Sequence, residues 1–136
     1  MGFWVYVKDM ETGEKLNIHT DDCDFITLHK DRLTVFVIGN KKYLEQRGLE
    51  SFAEDLESDL FRLTDRSHLV NFKKVSCFEE KSLVLRFSDS DQTASVARIH
   101  RNAVEQYIRR SPGKKIISRQ MEGRFPLWNK ARKFLR

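Results

Sequence analysis

The residues that could do chemistry are scattered, and their spacing argues first against catalysis. Four histidines, His19, His29, His68 and His100, lie far apart, and neither Cys23 nor Cys77 belongs to a C-x-x-C pair or has a histidine at metal-ligand spacing. No glycine-rich phosphate loop, G-x-S-x-G or H-E-x-x-H occurs. The carboxylates Glu50, Glu54, Asp55 and Glu57 recur at the spacing of an outer helix face, which suits solvation better than acid–base work. The expectation is a protein with no catalytic residues, no metal ligands and no cofactor. What remains is cationic chemistry: 25 Lys and Arg that could meet an anion.

Those cations are unevenly placed. Residues 1–108 hold 15 Lys and Arg against 19 Asp and Glu, whereas residues 109–136 hold 10 against Glu122 alone, so a net charge of +5 hides an acidic body and a basic tail. A block of that sign suits nucleic acid, acidic lipid or an acidic face of the chain itself, and charge alone does not choose. At 136 residues, 40% hydrophobic and 33% charged, with six glycines and two prolines, the chain suits one globular domain with a real core. No apolar run approaches a membrane span, and Phe3-Trp4-Val5-Tyr6-Val7 is too short for a secretory signal. A cytoplasmic location and two buried, free thiols are therefore expected.

Alternation with period two dominates the body and predicts half-buried strands. Residues 1–19 read as a hairpin, with strands over Phe3–Lys8 and Lys15–His19. Phe25–His29 and Arg32–Ile38 follow, then a primed turn at Gly39-Asn40 with positive φ allowed at both positions, and a return over Lys41–Gln46. Leu49, Phe52, Ala53 and Leu56 predict a short amphipathic helix. Leu60–Thr64 and His68–Phe72 are extended around an Asp65-Arg66-Ser67 turn. Val75–Phe78, Ser82–Phe87 and Thr93–Ala97 are strands, and Ile99, Ala103, Val104, Tyr107 and Ile108 predict a helix ended by Ser111-Pro112-Gly113. Beyond it, Pro126 could open a helix with Leu127, Trp128, Ala131, Phe134 and Leu135 on one face.

Several fragments stand in a telling order. They are Asp24-Phe25-Ile26 at a strand start, Lys30-Asp31-Arg32-Leu33-Thr34-Val35, Tyr43-Leu44 with Gly48-Leu49 and Phe52, Phe61 with Asp65-Arg66-Ser67-His68-Leu69-Val70-Asn71, and Ala94-Ser95-Val96-Ala97-Arg98. Over about residues 24–110 the chain resembles the LytTR family of bacterial DNA-binding domains. The resemblance implies a mainly β fold of small antiparallel sheets with short α-helices, here with a C-terminal helical tail. It divides the chain into an N-terminal hairpin extension (1–23), a DNA-binding domain (24–110) and a basic amphipathic tail (111–136).

The resemblance further implies a transcription regulator that reads major grooves of double-stranded DNA through loops, with a homodimer on paired sites as one arrangement. Three places would supply contacts: Lys30 and Arg32 in the first loop, Arg66 and Ser67 in a turn, and Arg98, His100 and Arg101 before the last helix. Arginine suits guanine O6 and N7, whereas lysine, serine and histidine suit phosphates. Asp31 and Asn71 read as capping or backbone-satisfying residues. Two departures stand out: Ala97 replaces the serine of V-S-R, and Leu63 stands where a basic residue is common. Residues 1–23 are too short for the receiver domain that precedes many members. The tail could grip DNA backbone, dock on the body or a second subunit, or lie on an acidic membrane. A protein-interaction module that keeps the fold without binding DNA, and a nucleic-acid-cleaving enzyme suggested by the basic tail alone, are the rival readings.

Overall fold

The computed structural model describes residues 2–28, 33–45, 52, 53, 56 and 61–118. In chain order its strands are β1 (Trp4–Asp9), β2 (Lys15–His19), β3 (Phe25–Leu28), β4 (Thr34–Ile38), β5 (Lys41–Glu45), β6 (Phe61–Asp65), β7 (His68–Asn71), β8 (Val75–Glu79), β9 (Val84–Phe87) and β10 (Thr93–Ser95). Helix α1 (Arg101–Arg110) and strand β11 (Lys115–Ile117) close the order. Short 3-10 turns occupy Thr20–Asp22, Phe72–Lys74 and Arg98–His100. The first seven strands form one sheet in the order β2-β1-β5-β4-β3-β7-β6, and the rest a second in the order β10-β9-β8-β11. The architecture is mainly β, in antiparallel sheets with a short helix near the C-terminal end of the described chain.

Why the centre of the large sheet is so apolar follows from its position between two covers. On β3, β4 and β7, Ile26, Phe36 and Leu69 face one core, which also holds Val5, Val7, Ile18 and the helical residues Phe52, Ala53 and Leu56. Their neighbours Phe25, Val35, Val37 and Val70 face the opposite core, with Phe72 of the 3-10 turn, Val75, Phe78, Leu85 and Phe87 of the second sheet and Val104 and Ile108 of α1. β4 is thus buried on both faces, not half-buried as alternation alone suggests. A run such as Val35-Phe36-Val37 is what double burial demands. The rings of Phe36 and Phe52 meet edge to face at 4.9 Å, locking the helical residues onto the sheet.

Turn chemistry decides the register. Ile38 pairs with Lys41 across Gly39-Asn40, but only Gly39 has a positive φ, at 60°. The turn therefore follows the II′ pattern, glycine first, and Asn40 does not need the left-handed conformation expected of it. Helix α1 stops at Arg110, as Pro112-Gly113 requires, with Gly113 at φ 81°. Within the segment read as tail, Lys115–Ile117 then adds to β8 in parallel, with Ile116 beside Phe78 and packed on the second core. Cys23 and Cys77 are free; Cys23 is buried, but Cys77 is only half-buried because it lies on the outer side of β8. The helix foreseen from Pro126 lies outside the described residues.

Candidate nucleic-acid interface

Asp65 and His68 pair across a two-residue turn, and that turn presents Arg66 and Ser67. Neither turn residue has a positive φ. Turns of that kind splay right-twisted strands, and the register shift between Leu63 and Asp65 absorbs the mismatch. Asp65 Oδ1 accepts the backbone N–H of Ser67 at 3.3 Å, and the Ser67 carbonyl accepts the Thr27 hydroxyl at 2.7 Å. Ser67 is half-buried and held by its backbone, whereas Arg66 projects into solvent.

Arg98 leaves the fold from the segment that follows β10, and that segment is bonded to the strand carrying Arg66. The Ala97 N–H donates to the Thr64 carbonyl at 2.7 Å, and the Thr64 hydroxyl donates to the Ser95 carbonyl at 2.8 Å. Ser95 Oγ donates to Asp65 Oδ2 at 2.8 Å and lies 3.3 Å from His68 Nδ1. This seam joins the two sheets by one backbone and two side-chain bonds. It fixes the bases of Arg66 and Arg98 relative to each other, although they lie 32 positions apart. Among the described residues neither guanidinium is tied to a carboxylate, so both remain open to an external anion.

Electrostatics reinforce the seam. Burial raises the Asp65 pKa, but the Ser95 and Ser67 hydrogen bonds and the neighbouring His68 outweigh it, holding the carboxyl below its ordinary value. Burial depresses the His68 pKa and Asp65 only partly offsets this, so His68 is neutral at neutral pH. Asp65 and His68 therefore tie the turn that carries Arg66 to Ser95 of β10.

The remaining sequence-derived site residues divide. Lys30 and Arg32 lie outside the described residues, between Leu28 of β3 and Leu33. His100 is half-buried at the end of the 3-10 turn, and Arg101 is exposed but engages Glu80 at 3.3 Å. That pairing leaves Arg101 less available than Arg98. Asn71 is structural: its amide donates to the Cys23 carbonyl at 2.9 Å and its oxygen accepts the Lys73 N–H at 3.1 Å. Sequence reasoning missed the Thr64, Asp65 and Ser95 seam. The only local signal was a short polar residue at each of the three positions, in strands that already mix polar and apolar residues.

The family profile for the LytTr DNA-binding domain matches residues 13–109. The chain belongs to the LytTr DNA-binding domain family. Its DNA-binding character follows from that membership. Among solved structures, this LytTr chain is similar to the LytTr DNA-binding domain of a Bacillus cereus protein described as a methyl-accepting/DNA response regulator. The two are 17% identical with a TM-score of 0.63, covering 76% of this chain and 94% of that one. At that identity the likeness concerns the fold. No match is found among curated proteins. The LytTr match begins inside the first hairpin, after β1, and ends within α1.

Proposed function

We propose that the protein is a sequence-specific transcription regulator that binds duplex DNA by inserting turns into major grooves, with Arg66 and Arg98 reading base edges. The observation that carries this reading is the hydrogen-bonded seam from Thr64 and Asp65 to Ser95 and Ala97, which sets two unpaired arginines on adjoining segments. A bidentate guanidinium distinguishes guanine through O6 and N7, and two such groups on one rigid base impose a spacing as well as an identity. Lys30, Arg32, His100 and Arg101 serve the flanking phosphates, and Ser67 holds the turn. Binding to paired half-sites by two copies suits so small a reading head, and the working location is the cytoplasm. No helix among the described residues is long and apolar enough to cross a membrane.

A gel-shift selection from a random-site duplex library tests the reading. An enriched sequence is expected, and Arg98→Ala should weaken binding to it by about 5- to 150-fold, the worth of one bidentate base contact, with the fold intact. Binding with no enriched sequence, or an unchanged affinity for Arg98→Ala, would refute it.

A further inference from the structure

The first hairpin presents a face that no described element covers. On β1, Val5, Val7 and Asp9 point inward, while Trp4, Tyr6 and Lys8 point out. Register places Lys8 opposite Lys15 on β2 and opposite Leu44 on β5. Leu44 in turn pairs with Val35, so Trp4, Tyr6, Lys8 and Lys15 occupy the same side of the large sheet that the second sheet covers over β3, β4 and β7. The cover ends short of the hairpin, leaving Trp4 68% and Tyr6 60% exposed.

Two features of that face point to an anion. Lys8 and Lys15 are directly opposite each other, an arrangement that costs stability until a negative charge lies between them, and neither has a carboxylate partner among the described residues. A groove of about 400 Å³ is lined by Tyr6, Lys8, Lys15, Leu33 and Leu44, with Glu45 as its one carboxylate. Leu33 directly follows Arg32 in the sequence and precedes β4. Going from Lys8 back to Trp4 follows the direction of Glu45, towards the end of the sheet where β3 ends, β4 begins and the Arg66 turn lies. From β7 to β1 is four strand intervals, roughly 19 Å, about half a turn of duplex DNA.

Resting on the function proposed above, we infer that the N-terminal hairpin is a further DNA-contacting element. Lys8 and Lys15 hold backbone phosphates flanking the sequence read by Arg66 and Arg98, and Tyr6 packs beside them with its hydroxyl free to donate to the same backbone. A second copy of the chain fits this face less well, because a two-fold contact would set lysines against lysines. β1, with Tyr6 and Lys8, precedes the residues matched by the family profile, whereas Lys15 lies within them, so half of this contact is a property of the chain beyond the shared domain.

The test measures affinity against salt for the full chain on its selected site, for the wild type, Lys8→Ala/Lys15→Ala and Arg98→Ala. Loss of two phosphate contacts should make the slope of log K against log salt shallower by about 1.8, leaving the enriched sequence unchanged. Trimming the flanking DNA should reproduce that loss in the wild type and add nothing in the lysine variant. Both lysines are exposed, so thermal melting should show a stability equal to or slightly above that of the wild type. If the wild type selects a sequence and Arg98→Ala weakens binding to it as expected while the lysine variant keeps the full slope, the inference falls and the proposed function stands. If the slope is kept but the variant changes its sedimentation as an oligomer, the face belongs to a second copy and the inference is equally overturned. If the wild type binds no duplex, the functional reading itself fails and takes the inference with it.

Discussion

Removing the Ser95 hydroxyl should loosen the seam without breaking the fold, and the size of the effect can be worked from its bonds. Ser95→Ala deletes the donor to Asp65 Oδ2 at 2.8 Å and the neighbour of His68 Nδ1. Hydrogen bonds to charged groups contribute about 1.5–3 kcal/mol. Asp65 is half-exposed and water replaces part of the loss, so about 1.5 kcal/mol is expected from urea unfolding. The Thr64–Ala97 backbone bond and the Thr64–Ser95 bond survive the substitution and keep the sheets joined. Asp65→Asn weakens the same contact from the other side, so the two substitutions should couple by about 1 kcal/mol in a double-mutant cycle. Because the folded pKa of Asp65 lies below its ordinary value of 3.8, the stabilisation is present above that value and lost as pH falls through the folded pKa. The deficit of Ser95→Ala should therefore shrink in acid. Affinity for the selected DNA should fall while its salt slope stays constant, since no phosphate contact is removed. Additivity within about 0.3 kcal/mol would show that Asp65 and Ser95 do not act on each other, and the argument for a fixed arginine pair would fail.

Two further substitutions test the core. Asp24 is buried, with its Oδ2 accepting the Gly39 N–H and its Oδ1 without a donor; burial and the Asp89 carboxyl push its pKa up to about 6. The folded state then keeps a proton that the unfolded chain releases near 3.8, so this group makes stability fall as pH rises from about 4 to 6. Asp24→Asn should remove that fall relative to the wild type in urea midpoints from pH 4 to 8, and an identical pH profile would contradict the assignment. Phe36→Ala, at a fully buried position between β4 and the helical Phe52, should cost about 3–5 kcal/mol in thermal or urea unfolding. A loss below about 1 kcal/mol would contradict the close packing of Phe36 in the first core.

Local pattern made most of the elements legible. Period-two alternation marked β1, β2 and β9, Gly39 marked its turn, and Pro112-Gly113 marked the end of α1, because each depends on residues within a few positions of one another. The ordered fragments around Asp65–Asn71 and Ser95–Arg98 marked the family for the same reason. Tertiary structure alone decided which strands are covered twice, that Lys115–Ile117 joins a sheet, that Arg101 meets Glu80 21 positions away, and that Arg66 and Arg98 spring from one bonded seam. Pairing between distant strands is chosen by the summed burial of two cores and by register. No short stretch of sequence carries that sum, whereas a turn or a helix stop is set by the backbone freedom of one or two residues.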